Sequence, residues 1–464
     1  MERIGILVVS KCLSAAAIVD ALARSENYAP QFYIVEKQLN PFNAQRASVH
    51  RVVPNLDLEE VVKFAGRYRG KISFALTDTE DFITAGGRDA LEEETGIPAV
   101  CVSRKYAVES SKADQRLLFD RLFDGANPRF RVFDARDYAD AAAAVSDFER
   151  FAAQLGEPVI KPDAPARGAG VGVWGSDFRT GPEMVAFFRN VHSKGRAVVE
   201  ERLDGEESSF HAFSDGSHFV VAPQTRDYKR AFDGGAGRLT GGMGSYRAAQ
   251  NSLPFLRPSE WESVVDAERL AFRRWKGRGS NPGLRGIVVY DALMHTGDGF
   301  KVLERNSRGG NTEQINILTT MQDDFIEVCL RMIDGRLRTI KFSKQASVVT
   351  CVVPEEYGTG MASPKQNRFV DLSAAYRLQE SYGDRLRVYP MDLRLEGSGA
   401  TLMGSSRSVA IVGVAPSIEE AREVSMLGAE AVRGPVRIRK DIASASDLQK
   451  SIDHMAALRL RSRS

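Results

Sequence analysis

Short apolar runs alternate with amphipathic segments through the first hundred residues of the chain. Four of the runs have the length and composition of buried strands, and residues 13–25 have the spacing of a helix. The strand-like runs lie at residues 4–10, 31–36, 72–78 and 99–102. This alternation predicts a small doubly wound α/β domain that ends at about residue 108. Ligands of such domains bind beyond the carboxyl ends of the strands.

The turn after the first predicted strand is a candidate binding site. It contains Ser10, Lys11 and Ser14 and no glycine. Two hydroxyls and a lysine at the start of a helix could bind an anion through charge and free amide groups. A plain turn in which Ser14 caps the helix explains the same residues equally well.

A strand predicted at residues 158–161 introduces a second candidate site. The strand ends in Lys161, and a loop with Gly168, Gly170 and Gly172 follows it. A strand lysine beside a flexible glycine flap can place an ammonium group and backbone amides on nucleotide phosphates. Glycine-rich hairpins next to a lysine are also common without any such function.

An apolar strand at residues 197–199 leads into a polar segment that contains Glu200, Glu201, Leu203 and Glu207. An apolar strand followed by spaced carboxylates suits a nucleotide cleft, where backbone groups contact adenine and a carboxylate accepts from ribose hydroxyls. A solvated strand face explains each glutamate singly, but it explains the whole arrangement less well.

Two predicted strands joined by a turn at residues 297–299 carry a candidate metal site. Glu304 and Asn306 are two residues apart near the end of the second strand, so they point to the same face. We expect Asp291, on the first strand, to face them across the pair. Carboxylate and amide oxygens suit Mg²⁺ bound to nucleotide phosphates, with Mn²⁺ as an alternative, and do not favour zinc. Arg308 follows directly, so a cation lies beside the predicted metal.

One polar stretch combines carboxylates, cations and a cluster of glycines. Gly242 belongs to that cluster, which surrounds Met243 and lets the backbone approach a ligand closely. Lys229 and Arg230 supply charge for an anion, and Asp227 adds an acceptor for an amine or a metal-bound water. The combination predicts a site for a small molecule that carries phosphate or carboxylate. A mobile, solvated loop is the alternative.

Composition restricts the class of protein. The 464 residues suffice for three or four domains, and 63 Lys and Arg against 61 Asp and Glu leave a formal net charge of +2. That balance gives no overall attraction to nucleic acid or to a membrane. The four cysteines are widely spaced in apolar runs, and the chain shows no zinc spacing, signal-peptide pattern or membrane-length apolar run. We therefore expect a soluble, cytoplasmic protein with reduced thiols.

The order of these segments resembles the ATP-grasp superfamily and, within it, the phosphoribosylamine–glycine ligase family, in particular its archaeal branch. The resemblance spans nearly the whole chain. Its strongest segments are VVEERLDGEESSF, DYKRAFDGGAGRLTGGMGSY and KVLERNSRGGNTE. It implies an α/β fold of the α+β ATP-grasp type. The parts implied are a doubly wound preATP-grasp domain (1–108), an ATP-grasp core (109–128 and 200–340), a mobile lid (129–199) and a small α/β C-terminal domain (341–464).

The resemblance also implies roles for individual residues. Those implied to bind ATP through its phosphates, adenine and ribose are Lys112, Lys161, Gly168, Gly170, Glu200, Glu201, Leu203 and Glu207. Those implied to bind magnesium are Glu304 and Asn306. Those implied to lie near the acyl phosphate and the anionic groups of the substrate are Asp227, Lys229, Arg230, Gly242, Met243 and Arg308. We expect catalytic roles for Asp227, Lys229 and Arg308, and substrate contacts from Lys11 and Ser14 as well.

The reaction implied by the family joins a carboxylate to an amine. The γ-phosphoryl group of ATP is transferred to the acid, and the amine then attacks the acyl phosphate to give an amide, ADP and phosphate. The implied cofactors are ATP and Mg²⁺. The implied partners are small acids and amines, such as an amino acid or a phosphorylated sugar amine, with no nucleic acid or membrane. We expect a monomer or a homodimer.

The chain departs from the family mainly on the substrate side. The family's first-strand glycine loop is replaced by SKCLSAAA, and its flap lysine is replaced by Ala169. The histidine expected after Asp227 is Tyr228, and GDPE after the metal strand is GNTE. Three hypotheses follow: a specialised carboxylate–amine ligase with changed substrates, a genuine phosphoribosylamine–glycine ligase of purine biosynthesis, and a nucleotide-binding regulator without ligase activity.

Overall fold

A parallel sheet occupies the first hundred residues of the computed structural model, which describes residues 1–11, 13–163, 170–361 and 368–462. Its strands are β1 (Glu2–Ser10), β2 (Tyr28–Glu36), β3 (Ala47–Val52), β4 (Phe74–Thr77) and β5 (Ala99–Val100). The helices around it are α1 (Ala15–Ala23), α2 (Pro41–Arg46), α3 (Leu58–Arg67), α4 (Glu80–Thr84) and α5 (Gly87–Ala90). The strand order is β3-β2-β1-β4-β5. Ile6 and Val8 belong to one buried cluster and Leu7 and Val9 to another, because both faces of the sheet are covered. The predicted doubly wound arrangement is confirmed.

An antiparallel sheet with its own core follows. Helix α6 (Lys112–Leu122) precedes it. The sheet contains β6 (Phe130–Phe133), β7 (Pro158–Pro162), β8 (Gly172–Val173) and β9 (Ala197–Glu201), in the order β6-β9-β7-β8, with helices α7 (Ala141–Leu155) and α8 (Gly181–His192). The rings of Phe148 and Phe188 stack at 4.0 Å between these helices. The sheet falls close to the expected lid range of 129–199, although the domain boundaries themselves stay a prediction.

The next region contains the longest strand pair of the protein. Its strands are β10 (Glu206–Asp215), β11 (Phe219–Val221), β12 (Arg226–Asp227), β13 (Arg230–Phe232), β14 (Ala236–Leu239), β15 (Gly244–Arg247), β16 (Arg285–Thr296) and β17 (Gly299–Asn306). Its helices are α9 (Pro258–Lys276), α10 (Glu313–Thr320) and α11 (Phe325–Ile333). Strands β11-β10-β16-β17 form one sheet, and β13 pairs with β14 as a separate hairpin.

A sheet built from strands of two separate parts of the chain completes the fold. The C-terminal strands are β18 (Ala346–Pro354), β19 (Leu386–Pro390), β20 (Leu393–Leu395), β21 (Thr401–Met403), β22 (Val409–Ala415) and β23 (Val436–Arg437). The C-terminal helices are α12 (Ser373–Tyr382), α13 (Ile418–Glu430) and α14 (Ala445–Arg461). Strands β12-β15-β18-β22-β19 lie in one sheet. Two strands from before the expected boundary at residue 341 therefore lie in the same sheet as C-terminal strands, with β15 paired directly to β18.

The cysteines of the described ranges lie in the core. Cys101, Cys329 and Cys351 are buried and form no disulfide. Burial raises the pKa of Cys101 and of Cys351 to about 12, so both thiols stay protonated. Cys12 lies outside the described residues. Across those same ranges, none of the helices has the length and apolar character that a membrane crossing demands.

Two buried histidines predict how stability depends on pH. Burial lowers the pKa of His211 and of His295 to about 4, below the unfolded value of 6.5. Between these pKa values the unfolded chain binds protons that the folded protein excludes, so acidification favours unfolding. We expect the two residues together to lower the free energy of unfolding by about 3 kcal/mol between pH 7.5 and pH 5.5. Urea unfolding at both pH values measures this.

A matched variant separates the histidines from other titrating groups. His295→Asn removes one of the two, so the pH-dependent loss should fall by about half, roughly 1.4 kcal/mol. A variant with the same pH dependence as the wild type would contradict the expectation.

Candidate active site

One cavity of about 1280 Å³ is lined by residues from all four parts of the fold: the first parallel sheet, the sheet of β6–β9, the region of β10–β17 and the C-terminal part. The carboxyl end of β1 contributes Lys11, and β7 contributes Lys161. Strand β17 contributes Glu304 and Asn306, and the C-terminal part contributes Arg407. A space this large, with convergent charged groups from several elements, has the dimensions of a site for a nucleotide together with further substrates.

Glu304 and Asn306 reach the cavity together because of strand alternation. In the register of β16 and β17, Asn306 pairs with Tyr290 and Glu304 pairs with Ala292, and all four residues line the cavity. Asp291 lies on the opposite face of the sheet and is fully buried. The expectation that Asp291 faces Glu304 and Asn306 is therefore wrong. Asp291 pairs with Arg305, and its side chain points to the face of the sheet opposite to theirs.

Asp291 instead belongs to a buried ion cluster around Arg305. The Arg305 guanidinium donates to the two Asp291 oxygens at 2.8 and 2.6 Å and to Glu268 at 2.8 Å. All three side chains are fully buried. Burial and the neighbouring Asp291 raise the pKa of Glu268. The Arg305 amide also donates to Gln115 Oε1 at 2.9 Å, so β17 is held in place from behind the residues that face the cavity.

Lys161 reaches the cavity from the edge of a second ion cluster, which is centred on Glu200. Its ammonium donates to Glu200 at 2.6 Å, and Arg116 donates to both Glu200 oxygens at 2.6 and 3.0 Å. Burial lowers the pKa of Lys161, and Glu200 partly offsets that shift. Glu200 lines the cavity, but its carboxylate is held by two cations. In this structure Glu200 is the counterion of Lys161 and Arg116, and its place in the adenine and ribose hinge stays a prediction.

The rest of the expected nucleotide hinge also borders the cavity. Glu201, Leu203 and Glu207 line it. Glu201 accepts from the Arg129 guanidinium at 2.7 Å, and Glu207 accepts from Lys229 at 2.7 Å. The Glu207–Lys229 pair joins the hinge to the glycine-rich stretch, so the two predicted sites form one wall.

Most of the glycine-rich stretch lies in strands rather than in a loop, and residues 232–238 are exposed. Asp227 lies in β12 and borders the cavity. Gly242 has a φ of +103°, and a Cβ atom there would lie 2.6 Å from Asp227 Oδ1, so only glycine fits. Met243 is fully buried in the core and does not line the cavity, so its expected substrate contact is wrong. Arg230 borders the cavity, and its contact with substrate stays a prediction.

Asp227 of this stretch and Glu313, the first residue of α10, form an interacting pair of carboxyl groups. Burial and Glu313 raise the pKa of Asp227, and Thr312 Oγ1 lies 3.5 Å from Asp227 Oδ1. Glu313 accepts from Thr312 Oγ1 at 3.0 Å and from Ser209 Oγ at 3.1 Å. Glu313 was not predicted from the sequence, although it is the last residue of the altered GNTE motif. Arg116 was not predicted either, because its position in a helix gave no sign of a partner 84 residues away.

The first-strand turn differs from both sequence interpretations. The Ser14 hydroxyl donates to Asp78 in a short contact, makes no cap hydrogen bond and does not line the cavity. Its expected roles in substrate binding and capping are therefore both wrong. Lys11 lines the cavity and forms an ion pair with Asp81. The Lys11 amide donates to Thr79 Oγ1 at 3.0 Å, which ties the turn to the end of β4.

The remaining predicted residues divide into three cases. Gly170 lines the cavity, whereas Gly168 and Ala169 lie outside the described residues. Lys112 begins α6 and donates its amide to Asp163 O at 3.1 Å, outside the lining of the cavity, and its contact with phosphate stays a prediction. Arg308 lines the cavity, and its catalytic role stays a prediction.

The geometry accords with comparisons to known proteins. A family model described as "Phosphoribosylglycinamide synthetase, ATP-grasp (A) domain" matches residues 126–314. The phosphoribosylamine–glycine ligase of Pyrococcus furiosus is 33% identical over 446 residues, which cover 96% of this chain and 95% of that protein. The chain belongs to the phosphoribosylamine–glycine ligase family. A second family member, from Methanocella arvoryzae, is 34% identical over 98% of this chain and 99% of its own length.

Solved structures show the same fold. The crystal structure of the Thermotoga maritima phosphoribosylamine–glycine ligase has a TM-score of 0.72 at 20% identity, and the match covers 95% of this chain and 100% of that chain. The biotin carboxylase domain of a Hydrogenobacter thermophilus 2-oxoglutarate carboxylase, described with MgADP, has a TM-score of 0.67 at 15% identity. The chain is an ATP-grasp carboxylate–amine ligase that uses ATP and Mg²⁺. The oxygen atoms of Glu304 and Asn306 fit a hard cation bound beside phosphates.

Proposed function

We propose that this ligase forms an amide through an acyl phosphate and acts on substrates other than those of phosphoribosylamine–glycine ligases. The shared cavity is the observation that supports the reaction. It brings Lys161, Glu304 and Asn306 to the same space as Asp227 and Lys229. Phosphoryl transfer to an acid needs cations and metal ligands around the moving charge, and the second step needs a group that exchanges a proton with the amine.

Each residue has a defined task in the proposed reaction. Lys161 contacts the phosphates of ATP, and Glu200 favours its charged form despite burial. Glu304 and Asn306 hold Mg²⁺, which supplies positive charge to the phosphate oxygens. Lys229 remains charged because Glu207 and Asp227 outweigh burial and raise its pKa. The raised pKa of Asp227 lets this carboxyl exchange a proton with the attacking amine near neutral pH.

The first-strand turn supports the change of substrates. In the family this turn is a glycine loop on the phosphoribosyl side of the site. Here Lys11 and Ser14 already contact the carboxylates of Asp81 and Asp78. The proposal also keeps the four-part domain division, with the sheet of β6–β9 acting as a lid over ATP.

A genuine phosphoribosylamine–glycine ligase is the second candidate, favoured by the names of the full-length relatives. An ADP-release assay with phosphoribosylamine and glycine separates the two, because robust turnover would contradict the proposal of changed substrates. Measurable ATP binding without ATP consumption, with any pair of acid and amine, would instead support a non-catalytic regulator.

We expect Lys161→Met to weaken ATP binding by about 10- to 100-fold, because a charged contact to phosphate is lost. Glu200 keeps Arg116 as a partner in the variant, so the fold should persist. Isothermal titration with ATP and Mg²⁺ measures the change. Lys194→Met is the matched control, since Lys194 is exposed on the same sheet region. Wild-type ATP affinity in the Lys161 variant would remove this residue from the phosphate site.

A further inference from the structure

The carboxyl edge of the first sheet already contains an anion at the place where a substrate phosphate would bind. Asp78 follows β4 and lines the main cavity. Its carboxylate accepts from the Ser10 hydroxyl at 2.9 Å and from the Ser14 hydroxyl in a shorter contact. The hydroxyls that could hold a phosphate at the start of α1 are thus engaged by the protein's own carboxylate.

The cations at this edge are matched by carboxylates as well. Lys11 forms an ion pair with Asp81. Arg308 lies 3.6 Å from Glu80 and 3.4 Å from Glu109. With Asp78 included, four carboxyl groups surround two cations. A phosphate dianion brought to this edge would meet repulsion from Asp78 and would have to displace the carboxylates from Lys11 and Arg308.

A buried acceptor at the same edge has no hydrogen-bond donor among the described residues. Gln314 lines a small cavity of about 20 Å³ together with Asp78 and Arg308, which also line the main cavity, and the Gln314 Oε1 atom accepts no hydrogen bond there. A buried acceptor without a donor is costly, and a ligand that brings N–H groups would satisfy it. This acceptor, like the carboxylates at the same edge, points to a ligand that donates hydrogen bonds.

We propose that the substrate bound at this edge is an unphosphorylated amine that carries positive charge, recognised by Asp78. The inference rests on the proposed ligase function and specifies its amine substrate. Asp78 attracts the ammonium group, and the hydroxyls of Ser10 and Ser14 fix the orientation of the carboxylate. The same carboxylate excludes phosphorylated amines by repulsion, so attraction and rejection come from one residue.

Two stable probes test this in the full chain with ADP and Mg²⁺ present. Isothermal titration compares 1,4-diaminobutane, an unphosphorylated cationic amine, with ribose 5-phosphate. We expect the wild type to prefer the diamine. Asp78→Asn keeps the shape and removes the charge, so it should weaken diamine binding and strengthen ribose 5-phosphate binding, each by about 10-fold. Glu59→Gln, at an exposed position on α3 of the same domain, should change neither.

A second variant tests the inference independently, in case Asp78→Asn does not fold. Glu80→Gln removes another carboxylate that lines the cavity and should shift the preference in the same direction by a smaller factor. Tighter wild-type binding of ribose 5-phosphate, or a preference that both variants leave unchanged, would overturn the inference. An ATP-consumption assay tests the ligase function separately. A protein without that function would consume no ATP, but the ratio of its affinities for the two probes would be unchanged.

Discussion

Glu304→Ala is expected to lower kcat by about 10³-fold or more while leaving the fold unchanged. Glu304 faces the cavity from the end of β17, and its carboxylate is one of the two oxygen ligands that we propose for Mg²⁺. Without it the metal binds more weakly, and the charge of the transferred phosphoryl group loses several kcal/mol of stabilisation. ADP release measured across a range of Mg²⁺ concentrations would show a lower rate and a higher Mg²⁺ requirement.

Asp298→Ala is the matched control for this experiment. Asp298 is exposed in the turn between β16 and β17, so the variant removes a carboxylate from the same hairpin without touching the cavity. Far-UV circular dichroism and thermal unfolding should be the same for both variants and the wild type. A Glu304 variant that keeps wild-type turnover and Mg²⁺ dependence would refute the metal assignment.

Arg305→Met is expected to reduce the free energy of unfolding by about 3–5 kcal/mol, the cost of leaving a buried charge without its partner. The guanidinium is fully buried and forms ion pairs with Asp291 and Glu268. The methionine replaces the apolar stem but leaves the Asp291 carboxylate without a cation. Urea unfolding at neutral pH measures the loss.

A double variant tests whether the buried charge is the cause. Arg305→Met with Asp291→Asn removes the guanidinium and the orphaned carboxylate together, and we expect it to be more stable than Arg305→Met alone. If the double variant is as unstable as the single one, the cost comes instead from lost packing against the rings of Phe119, Phe123 and Trp275 or from buried Glu268, which still lacks its Arg305 partner.

The two effects are distinguishable although the residues are adjacent. Glu304 and Arg305 point to opposite faces of β17, one to the cavity and one to the core. A change at Glu304 should therefore alter chemistry with little effect on stability. A change at Arg305 should alter stability first and turnover only through the position of β17.

The sequence by itself determined the local features of this protein. The alternation of apolar runs predicted the parallel sheet of the first domain. The two-residue spacing of Glu304 and Asn306 placed them on one face, because side-chain direction along a strand follows from the backbone alone. The order of the motifs indicated the ATP-grasp superfamily, which the comparisons confirmed.

Only the tertiary structure decided which side chains meet across long distances in the chain. The face on which Asp291 lies depends on the register of two strands, and that register contains an irregularity after Ala292. Ser14 meets Asp78 across 64 residues, and Glu200 meets Arg116 across 84. Such partners are determined by how whole helices and strands pack together. The local sequence pattern therefore predicts where a polar or charged residue lies along its strand or helix, but not which distant group it contacts.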